Sequence, residues 1–451
     1  MSQIIPLLHS YHTFHQEAIK NRFFKHSDLL AVLDNMRGNA KFEIREVGKS
    51  FQGRSLNLVK CGSGPVKVFL WSQMHGNEAT ATMALVDLFN FLGDDYDDEV
   101  KDIILKNCTL YILPIVNPDG AEVFNRRNAQ EIDINRDFHA QQTPEGRVLR
   151  QLRDEINPQF GFNLHDQTTM WSAGDTGNPA TISLLAPAYD AGLSVNTVRE
   201  MAMLVIAEMN STLQEVIPGH VGRFDDEYEP RAFGDNFQAA GTSTILIEAG
   251  GYADDPEKQH IRKLVFISMI SGLMSISERS FLMRKTVDYF DIPENKLHHF
   301  QILLRNCAIE VESGEWKVDS YRVESGNPIA IGLEVESGEW KAESGKLKTG
   351  SDSSETRLSS LASRNLYKVD IGLIAKEIVN DDLRSMRYEY TVGDIGDLSN
   401  RHGYKELDCA GFSLIQTQKL QVEELADIVL LDGLEVLLAI EKGVVTNLSF
   451  T

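Results

Sequence analysis

The sequence predicts a three-layer α/β/α fold with a mixed, largely parallel central sheet, followed by a smaller, mostly β domain. Nearly continuous apolar runs are typical of strands buried on both faces of a sheet, and they lie at 66–71, 110–116, 160–164 and 244–247. Amphipathic helical stretches lie between and after these runs, at 79–92, 145–156, 195–216 and 255–278. After about residue 285 the apolar runs are short and broken by Gly, Asp and Ser, which indicates the mostly β domain.

The composition narrows the classes of partner and the compartment. The chain has 451 residues, with 66 Asp and Glu against 44 Lys and Arg, and a formal net charge of −22. This charge argues against a nucleic-acid partner, which needs a positive face. We expect no signal peptide, because no uninterrupted apolar segment follows basic residues at the start, and no membrane partner, because the apolar run at 264–274 is too short to span a bilayer. A cytoplasmic protein is expected, since the four cysteines are widely scattered, at Cys61, Cys108, Cys307 and Cys409.

The chain divides into three predicted segments. Residues 1–40 are expected to form a helical segment that packs on the main domain, with Ser27 as the candidate N-cap of a helix at 26–36. The main domain is expected over 41–284 and the accessory domain over 285–451. In the latter, VESG recurs at 311, 323 and 335, which predicts a 12-residue repeat insertion near 311–346. A hairpin or loop is favoured over a small β-solenoid, because three units bury little surface. The polar stretch 346–364 predicts a linker.

Two histidines and a glutamate lie where predicted strands end. His75 and Glu78 follow the strand at 66–71, and Glu78 precedes a predicted helix. An imidazole and a carboxylate in one strand-to-helix turn can bind the same cation, and both are zinc ligands. His165 directly follows the predicted strand at 160–164 and would complete a His–Glu–His set with one position open for water. Taken singly, each pattern is also that of an ordinary loop residue.

A turn motif and several cations follow the second predicted strand. Asn-Pro-Asp-Gly at 117–120 is typical of a turn. Arg126, Arg127 and Arg136, the last beside Asn135, could bind a carboxylate bidentately or polarise a carbonyl group. Alternatively, these arginines form surface ion pairs with acidic neighbours, namely Glu122, Glu131, Asp133 and Asp137.

Glu248 closes the last apolar strand, where a buried carboxylate needs a partner or a task. It could act as a general base beside an activated water, or serve as a cap or an ion-pair partner. In their order along the chain, four segments resemble the zinc metallocarboxypeptidase family, the carboxypeptidase A-like enzymes, over residues 45–282. They are the segment with His75 and Glu78, the turn with its arginines, His165, and Glu248. The resemblance implies a carboxypeptidase A-like fold and one zinc ion per chain, bound by His75, Glu78 and His165, with Glu248 as the catalytic carboxylate.

The same resemblance implies roles for five further residues. Arg126 matches the arginine that polarises the scissile carbonyl group. Asn135 and Arg136 match the pair that binds the terminal carboxylate of the substrate. Asp133 matches the carboxylate that orients the first zinc histidine. Tyr228 is the candidate for the family's mobile tyrosine.

The implied activity is zinc-dependent removal of C-terminal amino acids from peptides, or from an amino-acid conjugate with a free carboxylate. The number of residues between Glu78 and His165 is smaller than in the digestive enzymes of the family. In this respect the chain resembles an intracellular, bacterial-type branch in which a small domain is added to the catalytic one. Two alternatives stay open, an aspartoacylase-like deacylase of N-acyl amino acids and a non-catalytic peptide-binding module. Arg231 could select an acidic terminal residue, or it could pair with a neighbouring carboxylate, namely Asp225, Asp226 or Glu229.

Overall fold

The structure is a computed structural model in which the chain forms two compact units, Met1–Leu297 and His298–Thr451. In the first unit it describes residues 4–95 and 98–297. In the second unit it describes the residues 299–312, 315–317, 322–324, 327–329, 331–336, 339–344, 366–380, 386–396, 398–410, 413–416, 422–432 and 435–448. The predicted linker at 346–364 lies outside the described residues.

The first unit alternates strands and helices. Its described strands are β1 Phe42–Lys49, β2 Ser55–Gly62, β3 Val66–Ser72, β4 Cys108–Leu113, β5 Phe160–Asp166, β6 Trp171–Ala173, β7 Ile182–Leu185, β8 Val221–Arg223, β9 Ser243–Ala249 and β10 Asn295–Leu297. Its described α-helices are α1 Ile4–Ser10, α2 His26–Met36, α3 Thr80–Gly93, α4 Glu99–Asn107, α5 Pro118–Val123, α6 Pro144–Ile156, α7 Thr197–Val216, α8 Phe233–Ala239, α9 Gln259–Glu278 and α10 Thr286–Phe290. Short 3₁₀ helices occupy Tyr11–Thr13, Ile134–Arg136 and Ser280–Met283.

Eight strands form one mixed sheet in the order β1-β2-β4-β3-β5-β9-β7-β8. The four central strands β4, β3, β5 and β9 are parallel to one another. The pairs β1–β2, β2–β4 and β7–β9 are antiparallel. The predicted fold class is therefore confirmed, and the carboxyl ends of β3, β5 and β9 meet at one edge of the sheet.

Both faces of the sheet are covered by helices. Along β3, Val68 and Leu70 face a large apolar core that includes residues of α3, α7 and α9. The intervening Phe69 and Trp71 face a second core with residues of α6 and α8. Because successive side chains of a strand point to opposite faces, a nearly continuous apolar run is what a strand buried on both faces requires.

The N-terminal segment is hydrogen-bonded to a buried ion pair between α3 and α9. Arg262 and Asp87, both with fully buried side chains, form a bidentate pair in which Nε of Arg262 lies 2.7 Å from Oδ2 of Asp87. The Tyr11 hydroxyl also donates to Asp87, and so does the backbone amide of Gln16. Ile4 and Leu7 of α1 enter the large apolar core.

The start of α2 differs from the prediction. The helix begins at His26, two residues earlier than a Ser27 cap requires, and Lys25 occupies the N-cap position. Asp28 accepts a hydrogen bond from the Lys25 backbone amide at 2.9 Å. The Ser27 cap was wrong because the carboxylate of Asp28 reaches back to the first turn in its place.

The first unit continues past residue 284 to Leu297. Tyr289 of α10 is fully buried, and its hydroxyl accepts from the backbone amide of Ala186. The strand β10 pairs antiparallel with β6. These contacts attach the segment after α9 to the first unit.

The described elements of the second unit are all strands. They are β11 His299–Glu312, β12 Glu315–Lys317, β13 Arg322–Glu324, β14 Asn327–Ile329, β15 Ile331–Glu336, β16 Glu339–Ser344, β17 Leu366–Val379, β18 Met386–Gly396, β19 His402–Asp408, β20 Ser413–Gln416, β21 Ile428–Asp432, β22 Glu435–Glu441 and β23 Val444–Leu448. An apolar core of its own includes Ile302, Leu373, Ile428 and Leu438. The prediction of a mostly β second domain is confirmed.

The VESG repeats fall in antiparallel strand pairs. The glutamates of the three copies pair across a two-residue gap: Glu312 with Glu315, Glu324 with Asn327, and Glu336 with Glu339. The Val-Glu residues of each copy therefore lie on one strand of an antiparallel pair.

Candidate metal centre

The candidate site lies at the carboxyl edge of the central strands. His75 follows β3 by three residues, while His165 and Glu248 lie within the last residues of β5 and β9. Because β5 and β9 are parallel, with His165 in register with Glu248, the two residues are direct neighbours. The strand β5 extends to Asp166, so the prediction that His165 follows the strand was wrong by two residues. Pairing with β9 prolongs β5 beyond its apolar run.

Two glycines let the His75–Glu78 loop approach the turn at 117–120. A side chain on Gly76 would lie 2.1 Å from the backbone carbon of Gly120. A side chain on Gly120 would lie 2.4 Å from Nδ2 of Asn117. Asn117 caps α5 by accepting from the Gly120 amide at 2.9 Å. The Asn-Pro-Asp-Gly motif therefore supports the loop that carries His75 and Glu78.

His75, Glu78 and His165 converge, and all three are at least nine-tenths buried. Nδ1 of His75 lies 2.7 Å from Oε1 of Glu78, and Nδ1 of His165 lies 2.8 Å from Oε2. One ligand atom from each residue falls within 4.8 Å of the others. Burial alone would raise the pKa of Glu78, but the two histidines hold it well below its usual range.

Asp133 and Arg126 enclose this group. Oδ1 of Asp133 lies 3.1 Å from Nε2 of His75, on the side of the ring away from Glu78. Nη1 of Arg126 donates to Oε1 of Glu78 at 3.1 Å, and Nη2 donates to Oδ2 of Asp133 at 3.0 Å. Burial raises the pKa of Asp133, but the hydrogen bond and charge of His75, with those of the nearby arginines, lower it below its usual range.

Glu248 is buried beside the metal-ligating group. Burial, followed by the charges of Glu78 and Asp166, raises the pKa of Glu248 well above its usual value. The side chain is 8% exposed. It is thus a carboxyl group in a largely water-excluded position, next to His165 on the neighbouring strand.

Asn135 and Arg136 lie in the 3₁₀ helix that Asp133 caps. Oδ1 of Asn135 accepts from the backbone amide of Phe233 at 3.0 Å, at the start of α8. The guanidinium of Arg136 is 38% exposed, and its Nε lies 3.1 Å from Oε2 of Glu229. A carboxylate of the chain itself therefore contacts the arginine that was predicted to bind the substrate's carboxylate.

Three other residues singled out from the sequence lie near the surface. Tyr228 is half-buried in the loop between β8 and α8, beside Glu229. Arg127 is exposed and donates to the backbone oxygen of Glu131 at 2.8 Å. Arg231 pairs with both carboxylate oxygens of Glu229, at 2.8 and 2.7 Å. The ion-pair alternative for Arg231 is thus the one that the structure contains.

The donor set fits zinc. Two imidazole nitrogens and a carboxylate are a combination found in catalytic zinc sites that keep a position open. The contact between His75 and Asp133 gives the first histidine a carboxylate on its other ring nitrogen, which fixes the ring orientation and strengthens the ligand. His75, Glu78 and His165 are the residues that would hold the ion, and within the described part of the chain they form the one such group of histidine, cysteine and acidic side chains.

A model of the zinc carboxypeptidase family matches residues 29–178. This range contains His75, Glu78 and His165. Residues 29–178 are therefore similar to the zinc carboxypeptidase family. Carboxypeptidase SOL1 of Arabidopsis thaliana is 33% identical over 105 residues, 22% of this chain and 21% of the relative. The catalytic chain of Homo sapiens carboxypeptidase N is 26% identical over 140 residues, 26% and 31% of the two chains. The chain thus spans under a third of either relative.

A solved structure is also similar to this chain. The crystal structure of a metallo-carboxypeptidase from Burkholderia cenocepacia is 17% identical, with a TM-score of 0.47, and covers 56% of this chain and 69% of that chain. Glu248 lies outside the range that the family model matches. Its place in the site therefore rests on the strand pairing with His165.

Sequence reasoning missed three polar residues around the site, namely Thr80, Asp166 and Lys258, and it considered Glu229 only as a partner of Arg231. Thr80 and Lys258 both bond to Asp166, the residue after His165. The position of Asp166 beside a candidate ligand was a usable signal. Nothing in the local sequence marks Lys258, which reaches the site from the start of α9 only because the chain turns back after β9.

Proposed function

We propose that the full chain is a zinc-dependent metallocarboxypeptidase, which hydrolyses peptides from a free C-terminus. The observation that carries this proposal is the convergence of His75, Glu78 and His165 with Glu248 on the adjacent strand. A metal-ligating trio and a separate buried carboxylate are the two components that metal-assisted hydrolysis of a peptide bond requires.

Glu248 is assigned the proton transfers. A zinc ion held by His75, Glu78 and His165 would activate a water molecule and polarise a carbonyl oxygen. The Glu248 carboxylate would accept the proton of the attacking water and then donate it to the nitrogen of the leaving amine. Because Glu248 pairs with His165 across β9 and β5, its carboxylate lies at the edge of the sheet that carries the three ligands.

Arg126 is assigned to the carbonyl oxygen of the scissile bond. Its side chain is 45% exposed, and its two terminal nitrogens already lie next to Glu78 and Asp133. From this position the guanidinium can donate to an oxygen that becomes negative during the reaction. A donor of this kind is worth roughly 10²- to 10³-fold in turnover.

Asn135 and Arg136 are assigned to the substrate's terminal carboxylate, which makes the enzyme an exopeptidase. Because Oδ1 of Asn135 accepts from Phe233, its amide nitrogen remains as a donor. Arg136 supplies a planar guanidinium that suits bidentate binding of a carboxylate. Tyr228, in the adjoining loop, is assigned to contact the bound peptide.

The proposed location is the cytoplasm. The four cysteines are free and buried, which fits a reducing compartment. No described helix is long and apolar enough to cross a membrane.

The experiment compares a peptide with its C-terminal amide as substrates for the wild type and Arg136→Ala. A charge-assisted hydrogen bond is worth about 1.5–3 kcal/mol, so KM for the free acid should rise by about 10- to 150-fold in the variant. The wild type should show little turnover of the amide. Arg127→Ala is the matched control, because Arg127 is exposed and donates to the backbone oxygen of Glu131, away from Arg136. An unchanged KM in Arg136→Ala would contradict the assignment.

A further inference from the structure

The carboxylate of Asp166, the residue after His165, is hydrogen-bonded to two other segments of the chain. Its Oδ2 accepts from the Thr80 hydroxyl at 2.5 Å and from the Lys258 ammonium at 2.9 Å. The side chains of Asp166 and Lys258 are 8% and 5% exposed. This is therefore a buried ion pair with a hydroxyl as a third member.

The two residues that donate to Asp166 lie near different residues of the proposed site. Thr80 is two residues beyond Glu78, and the backbone amide of Asp166 donates to Oε2 of Glu78 at 3.2 Å. Asp166 itself follows His165. Lys258 also donates to the backbone oxygen of Ala249, the residue after Glu248, at 3.0 Å. The pair thus connects the segments that carry two ligands and the proposed base.

Stability alone does not explain the buried ion pair of Asp166 and Lys258. A buried ion pair must offset the desolvation of both charges, and an apolar replacement is often as stable. Oδ1 of Asp166 is buried and accepts no hydrogen bond from the described residues. Lys258 also has a left-handed backbone, with φ 51° and ψ 31°, at the N-cap of α9. This backbone conformation costs energy in residues other than glycine.

We propose that Asp166 and Lys258 are positioning residues, which hold Glu78, His165 and Glu248 in the mutual arrangement that zinc binding and turnover need. Lys258 acts through the oxygen of Ala249 and the carboxylate of Asp166, and does not itself touch the substrate. The part of this proposal that concerns turnover rests on the proposed function. The part that concerns zinc affinity does not.

The experiment measures zinc affinity of the full chain by competition with a chromophoric chelator, and kcat and KM on a peptide. In Lys258→Met the dissociation constant for zinc should rise by about 10- to 100-fold, as for other residues that orient metal ligands. A fall in kcat of similar size should accompany it, with KM changed much less. Lys258→Arg, which keeps a donor and a charge, should retain more zinc affinity than Lys258→Met.

Lys258→Met leaves Asp166 buried without its cation and could fail to fold, so a second variant is needed. The double variant Lys258→Met with Asp166→Asn removes both charges and should fold, as judged by its thermal transition, while its zinc affinity stays at least 10-fold weaker than that of the wild type. Lys101→Met is the matched control. Lys101 is also buried and donates to a backbone oxygen, that of Asp94, away from the site.

A folded double variant with the wild-type zinc affinity and kcat would overturn the proposal. So would an equal loss of zinc affinity in Lys101→Met. If the zinc-loaded wild type cleaves no peptide but Lys258→Met still weakens zinc binding, the proposed function fails while the positioning role stands.

Discussion

Replacing Glu229 by glutamine should make peptide substrates bind more tightly. In the structure Glu229 lies between two arginines, with both carboxylate oxygens on Arg231 and one of them 3.1 Å from Nε of Arg136. If Arg136 binds the terminal carboxylate of the substrate, then Glu229 competes with the substrate for the same guanidinium. Arg231, together with Arg136, holds the pKa of Glu229 down to about 2, so this competitor stays charged at any pH at which the enzyme would be assayed.

The expected size of the effect follows from the exposure of the pair. The side chains of Arg136 and Glu229 are 38% and 26% exposed, so their contact is of the solvent-accessible kind. Such pairs contribute about 0.2–1 kcal/mol. At about 1.4 kcal/mol per factor of ten, Glu229→Gln should lower KM by about 1.4- to 5-fold, with little change in kcat.

The assay is steady-state kinetics on one peptide, with Glu227→Gln as the matched control. Glu227 lies in the same loop and is exposed, so its removal changes the net charge equally without touching the contact with Arg136. Arg231→Gln provides the opposite change. It frees Glu229 from its bidentate partner, so KM should rise.

A rise of KM in Glu229→Gln would refute the reasoning. It would mean that Glu229 holds Arg136 in the orientation that binds substrate. An equal fall of KM in Glu227→Gln would also refute it, because the effect would then come from net charge alone.

Three further predictions concern zinc, pH and stability. Asp133→Asn should weaken zinc binding by about 10- to 100-fold in a chelator competition, because Asp133 contacts the outer nitrogen of His75. Burial raises the pKa of Asp235 from 3.8 to about 6, so this group costs the fold stability as pH rises from 3.8 to about 6. Asp235→Asn, which cannot ionise, should therefore be about 3 kcal/mol more stable than the wild type in urea unfolding at pH 8 and equally stable at pH 3. Asp87→Asn leaves Arg262 buried without its anion and should cost about 3–5 kcal/mol in urea unfolding at pH 7. Equal unfolding midpoints, or an unchanged zinc affinity, would contradict the respective prediction.

The fold was predictable because the central strands are buried on both faces. The runs at 66–71, 160–164 and 244–247 are strands in the structure, each extended by one to three residues. The run at 110–116 became Cys108–Leu113, because Pro114 lacks the amide that would continue the ladder. Hydrophobic patterning thus located the strands, while pairing with neighbours decided where they end.

The proposed metal ligands were also accessible from the sequence, because HxxE and a histidine at a strand end carry their own local signals. Lys258 and Glu229 carry none that distinguish them from surface charges, and Asp166 is marked only by its position beside His165. Their roles depend on where the chain returns after β9 and on which arginine the loop at Glu229 meets. Such long-range contacts cannot be read from spacing in a single sequence.

Cleavage of a mixed peptide library with varied C-terminal residues, followed by mass spectrometry, tests the central claim most directly. The zinc-loaded full chain would be compared with Glu248→Gln and with Glu145→Gln, a matched control in which a buried glutamate outside the site is changed. Stepwise loss of single C-terminal residues should occur with the wild type and with Glu145→Gln, and should be absent with Glu248→Gln. Intact peptides throughout, with N-acyl amino acids hydrolysed in their place, would contradict the account and favour a deacylase.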